Sequence, residues 1–101
     1  MAEQLLRNIT KTFEVTSKGE KYVNVVGDLF TQLRSKVYED LDGKPLINMK
    51  ATEVYFDDVK VDKYTERFMF VFWPRERRNY TITARIVVVI DYLDRKEEDI
   101  T

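Results

Sequence analysis

The chain of 101 residues contains no cysteine and no histidine, and it has three glycines and two prolines. These absences remove disulfides, thiolate-bound metals, the thiol nucleophile and the commonest general base of enzymes. The few glycines form no phosphate-binding loop. We therefore expect no enzymatic activity, no metal and no cofactor, and the sequence gives no catalytic residue.

The chain also lacks a strong charge of one sign and a long apolar run. Its 17 basic and 18 acidic residues leave a net charge of -1, which gives no general attraction to nucleic acids or anionic membranes. The longest apolar run, Ile86 to Ile90, is too short to span a bilayer, and Met1 to Arg7 does not resemble a signal peptide. We expect a cytoplasmic protein without bound nucleic acid and without direct membrane insertion.

The length fits one domain, which we place at residues 1–93, followed by a charged tail at 94–101 that we expect to be disordered. Alternating residues from Asn8 to Thr16 predict a first strand. The sequence Ser17-Lys18-Gly19-Glu20 has the form of a capping box and predicts a helix start there. Apolar residues then recur every three or four positions as far as Leu41, which predicts a long amphipathic helix.

The helix contains Gly27, which indicates a bend or a close approach to the sheet, and Asp42-Gly43-Lys44-Pro45 should end it. Period-two alternation follows, with an irregularity near Asp57-Asp58, and Tyr80 to Leu93 predicts the last strand. Asp57 and Asp58 are better explained as charges that protect a sheet edge than as metal ligands. The predicted fold is α+β, in the order β-α-β-β with room for one more strand, with the helix on one face of a curved antiparallel sheet.

The segment Phe68 to Trp73 is apolar on both alternating rows of a strand. One helix covers one face of a sheet, so the second apolar face needs another cover. We expect that cover to be a second copy of the chain, at an interface formed by Met69, Val71, Trp73, Val87 and Val89. The alternative is that the sheet curls, or that the amino terminus folds back, so that one chain buries both rows.

The loop after this segment carries Arg75, Arg77 and Arg78. A basic loop in a nearly neutral protein suits the docking of an acidic protein partner, for which a membrane complex is one candidate. The run Arg67 to Phe72 is similar to the aromatic strand of an RNA-binding RRM domain, in which rings stack on bases. It lacks the glycines of that strand, and the predicted fold lacks the second RRM helix.

The block from Tyr64 to Arg77 contains T-E-R-F, an aromatic run and P-R-x-R. It resembles the signature of a bacterial family of small domains of unknown function, and the similarity covers nearly the whole chain, although Ser17-Lys18-Gly19 matches loosely. The resemblance implies an accessory cytoplasmic subunit and transfers no catalytic residue. The element order is also similar to that of dodecins, small β-α-β-β proteins that assemble into shells and bind flavins.

Three classes of function therefore remain open. The first is a non-enzymatic homo-oligomeric accessory or interaction subunit. The second is a carrier of a planar, flavin-like ligand stacked between subunits on Trp73, Tyr80 or Tyr64. The third is an RNA-binding module, which requires a local basic surface beside exposed aromatic side chains.

Overall fold

The computed structural model describes residues 2–66 and 75–101. Within them the elements are β1 (Leu6–Gly19), α1 (Tyr22–Leu41), β2 (Leu46–Glu66), β3 (Arg75–Leu93) and a short 3₁₀ helix (Glu97–Asp99). The strands form an antiparallel sheet in the order β1-β3-β2. Helix α1 packs on one face of this sheet, against β1 and β3. The predicted α+β fold is confirmed.

The core lies between α1 and the central strand. The helix contributes a stripe of aliphatic residues, and β3 contributes every second residue, because the 3.6-residue and two-residue periods each place one apolar row at the shared interface. The buried residues are Val25, Leu29, Leu33, Val37 and Leu41 from α1, Ile82, Ala84, Ile86, Val88 and Ile90 from β3, and Val15 from β1.

The predicted start of the helix is wrong. Strand β1 continues to Gly19, and α1 begins at Tyr22 after Lys21, which makes no side-chain cap hydrogen bond. Ser17 is instead a buried strand residue opposite Ile82. Pairing with β3 satisfies the backbone of Ser17 and outweighs a local capping preference, which is worth only about 1 kcal/mol.

The other helix signals give mixed results. The predicted end is confirmed, because α1 stops at Leu41 and Asp42 and Gly43 follow with φ of 49° and 90°. A left-handed backbone of this kind favours glycine. A Cβ placed on Gly27 would meet no atom within 4 Å, so the predicted close approach of Gly27 to the sheet is wrong.

Strand β2 is long and irregular. Its pairing with β3 shifts register at three places, one of them between Phe56 and Asp58, which confirms the irregularity predicted there. Because β1 ends opposite Tyr80, residues 62–66 and 75–79 pair with each other without a third strand. The interface candidates Met69, Val71 and Trp73 lie outside the described residues, as does the side chain of Arg75.

The residues after β3 fold back onto the domain. The Asp94 amide donates to the Leu5 carbonyl at 2.9 Å, and Lys96 Nζ lies 2.7 Å from Asp42 Oδ2. The Lys96 ammonium lowers the pKa of Asp42, and the Asp42 carboxylate raises the pKa of Lys96. Disorder of the tail in solution stays a prediction.

Candidate functional site

The most distinctive surface of the molecule is the inner face of β2, on the same side of the sheet as α1. Its side chains lie opposite the buried row of β3 but remain exposed, because the helix sits over β1 and β3. Valine and phenylalanine residues here are 40 to 48% exposed. We call this surface the β2 floor and define it as Ala51, Val54, Phe56, Val59 and Val61.

Helix α1 forms a wall beside the β2 floor. The opposite flank of the helix faces β1, where Gln32 and Lys36 donate to backbone carbonyls of that strand at 2.8 and 2.7 Å. At 3.6 residues per turn, Val23 and Phe30 lie on the flank toward β2. Val23 is 77% exposed. Arg34 lies on the same flank at this period, so the β2 floor and the flank form a recess that is apolar except for Arg34.

An aromatic cluster closes one end of the recess. The Tyr22 ring, in the first turn of α1, meets the Phe56 ring edge-on at a centroid distance of 6.5 Å and the Tyr80 ring at 6.2 Å. Edge-on packing is a favourable geometry for aromatic pairs. The cluster fixes the position of the helix start relative to β2 and leaves Phe56 exposed on its other side.

The outer face of the sheet is polar by comparison. Arg85 lies over the Tyr55 ring, 4.9 Å from its centroid, and its guanidinium is 3.3 Å from Asp57 Oδ1. The Glu53 carboxylate accepts a hydrogen bond from the Tyr55 hydroxyl, which raises the pKa of Tyr55. Asn8 and Thr16 bond across strands to Asp91 and Thr83. These groups satisfy one another on an open sheet surface.

The interface candidates Val87 and Val89 lie on this outer face, half-buried. Val87 stands between Thr12 and Glu53, and Val89 stands between Thr10 and Lys50. Polar neighbours therefore surround both valines within the described sheet. Their role in an interface stays a prediction.

The docking candidates occupy the outer part of β3. The Arg77 guanidinium is 2.9 Å from Glu20 Oε2, in the short connection between β1 and α1. Arg78 is exposed and lies opposite Lys63 of β2. The structure thus leaves a basic pair of residues, Lys63 and Arg78, adjacent on two strands. Binding of an acidic partner by these arginines stays a prediction.

A polar contact joins the buried Ser17 of β1 to the exposed Asp28 of α1. Ser17 Oγ donates to Asp28 Oδ2 at 2.6 Å, and Gln32 Nε2 donates to the same oxygen at 2.7 Å. These two hydrogen bonds, that of Ser17 first, lower the pKa of Asp28. The arrangement orients the helix on the sheet, and the carboxylate is held in its ionised form, which makes it a poor proton donor near neutral pH.

The described residues include no group of three or more acidic side chains arranged to hold a metal ion. No helix in the described part of the chain has the length and apolarity needed to cross a membrane. A cavity beside Phe13, Lys36, Glu39 and Asp40 is a shallow, open depression. None of these features defines a catalytic centre.

The fold and its surfaces define a small α+β domain that has one polar sheet face and one partly uncovered apolar face. The chain belongs to the family described as a domain of unknown function, DUF4312, which matches residues 9–93. That span includes β1 from its fourth residue, all of α1 and all of β3. The predicted family resemblance is confirmed. No curated protein and no solved structure matches the chain.

Proposed function

We propose that this protein is a cytoplasmic, non-enzymatic subunit that works as a homo-oligomer and serves as an accessory or interaction component. The observation that carries the proposal is the β2 floor, a row of exposed apolar side chains beside the helix flank that carries Val23 and Phe30. Contiguous apolar surfaces of this kind mark sites of association.

The dimensions of the chain support association. Its radius of gyration is 19.9 Å and its extents are 76 × 27 × 14 Å, whereas a compact domain of this length has a radius of about 13 Å. A two-stranded hairpin is only marginally stable by itself, and residues 62–66 and 75–79 pair in that way. A second copy offers cover for surfaces that no element in the described part of the chain packs against.

The chemistry of the described polar groups supports a non-enzymatic role. The outer-face cluster around Arg85 and Tyr55 lies on an open sheet, and Asp28 is held ionised by Ser17 and Gln32. Catalytic groups usually lie in a cleft with a pKa close to the working pH. The carrier and RNA-binding alternatives depend largely on residues outside the described part and stay predictions.

The test is the mass of the native protein by light scattering at micromolar concentration. We expect a multiple of 12.1 kDa. A Val59→Asp variant should fall to the mass of one chain, because an unpaired carboxylate cannot be buried in a dry contact without a large cost. The matched control is Lys60→Asp, which places an aspartate at the next residue, on the exposed outer face of the same strand, and should keep the native mass.

Circular dichroism spectra should show that both variants remain folded. A native protein that has the mass of one chain at all concentrations would overturn the proposal. An absorbance spectrum across the same chromatographic peak tests the alternative carrier, because a bound flavin-like ligand absorbs visible light.

A further inference from the structure

The space above the β2 floor has the dimensions of one additional strand. Packed layers of secondary structure lie about 10 Å apart, and neighbouring strands are about 4.8 Å apart. Helix α1 occupies that upper layer over β1 and β3, and no other element in the described part of the chain lies in that layer over β2. The floor of the vacant place is Val54, Phe56 and Val59, and its wall is Val23 and Phe30.

Association through a strand edge fits the structure poorly. Part of the outer edge of β1 is occupied by α1 side chains, because Gln32 and Lys36 donate to the carbonyl groups of Thr16 and Glu14. The outer edge of β2 is interrupted by three register shifts and carries closely spaced charges, among them Asp57, Asp58 and Lys60. Bulges and charges are the features that prevent edge-to-edge pairing.

The exposed area agrees with an extensive contact. The chain exposes 7643 Å². A compact protein of this mass exposes about 6,000 Å², so the excess is roughly 1,600 Å² per chain. Two chains that each bury such an area would form an interface within the range of obligate homodimers, about 2,000–5,000 Å² in total. The excess belongs to the elongated chain as a whole, and a second copy is an occupant large enough to cover it.

We propose that β2 of a second copy occupies the vacant place beside α1, with the two β2 floors facing each other across a two-fold axis. Each β2 then lies next to the helix of its partner, so both recesses are filled by one reciprocal contact. The polar outer faces of both sheets remain in solvent. This inference rests on the proposed function, since it specifies the surface through which the oligomer forms.

The absence of native cysteine permits a direct test with single-cysteine variants. Facing sheets place their backbones about 10 Å apart, whereas edge-paired strands place opposite Cα atoms about 5 Å apart. A disulfide requires Cα atoms within roughly 7 Å. Val54→Cys and Val59→Cys probe the β2 floor, and Lys60→Cys is the matched control on the outer face of the same strand.

We expect a bis-maleimide reagent with a spacer of about 10 Å to join the Val54→Cys and Val59→Cys chains into covalent dimers. Direct oxidation of the same variants should give at least tenfold less dimer, and Lys60→Cys should give little with either treatment. Val23→Asp changes a residue that is already exposed in the folded chain, so it should preserve the fold while dissociating the dimer.

Each alternative outcome has a distinct meaning. If Val59→Cys and Lys60→Cys both form direct disulfides efficiently, the two β2 strands pair edge to edge. That result would overturn the face-to-face arrangement but would leave the proposed oligomer intact. A native mass retained by Val23→Asp would overturn the placement of β2 beside α1. A native protein with the mass of one chain would instead overturn the proposed function itself.

Discussion

Replacement of Phe56 by alanine should weaken self-association strongly. Phe56 is 40% exposed in the single chain, at the centre of the β2 floor. A phenylalanine buries roughly 200 Å² when it is fully covered, so about 80 Å² remains to be covered by a partner. At about 25 cal/mol per Å², this area contributes up to about 2 kcal/mol per chain.

A two-fold contact contains the residue twice. The loss in a dimer therefore approaches about 4 kcal/mol, which corresponds to roughly a thousandfold increase in Kd. Sedimentation equilibrium over a dilution series measures this change directly. The Phe56→Ala chain should also lose its edge-on contact with Tyr22, so its fold is checked separately by circular dichroism.

The matched control is Tyr55→Ala. Tyr55 is the preceding residue, is also aromatic and is 44% exposed, but it lies on the outer face over Arg85. Exposed substitutions of this kind usually change stability by no more than about 0.5 kcal/mol, so the Kd should change by only a few-fold. Equal effects of the two substitutions would refute the assignment of association to the inner face of β2.

Two further predictions concern the stability of the chain. Gly27→Ala should raise the free energy of unfolding by about 1 kcal/mol, because alanine favours a helix over glycine and its Cβ meets nothing; a decrease in denaturation midpoint would reveal a neighbour above the helix. The pKa of Asp28 is lowered below 3.8, so its contribution to stability is present above that pH and is lost as the pH falls through the lowered value. Asp28→Asn should reduce the difference in unfolding free energy between pH 6 and pH 3, and an unchanged pH dependence would contradict this role.

Most of the fold was predictable because its signals are local. The helix from Tyr22 to Leu41 shows a 3.6-residue period, and the buried row of β3 is a plain alternation. The helix start was mispredicted because the capping-box pattern at Ser17 is also compatible with a strand. Only the pairing of β1 with β3, a contact between distant segments, shows that Ser17 belongs to the sheet.

The candidate surface was harder to predict because it depends on a bulge. In a regular strand, Val54 and Phe56 lie on one face, and Val59 and Val61 lie on the other. The extra residue at Asp57 restores all four to the same face. The sequence predicts an irregularity in the alternating pattern at Asp57-Asp58. Interpreting this irregularity as a bulge of one residue would have placed both halves of the β2 floor on the same face of the strand.

For Val87 and Val89, the face of the sheet was predictable from the sequence, but the polarity of their neighbours was not. Val87 and Val89 alternate with the buried row of β3, so their placement on the opposite face follows from period two alone. Whether that face is apolar depends on the neighbouring strands, and the register brings Thr12 and Glu53 beside Val87. Such cross-strand neighbours cannot be derived from a single strand pattern.

The width of α1 relative to the sheet favours a partner at the inner face of β2. A helix with its side chains is about 10 Å across, and strands are spaced by about 4.8 Å, so one helix covers two strands. A sheet of three strands with α1 over β1 and β3 must therefore leave the inner face of β2 bare. Polar side chains on this face could have remained exposed to solvent, but the chain has Val54, Phe56, Val59 and Val61 there. No other element in the described part of the chain packs over this row, and a second copy of the chain is the cover that we propose.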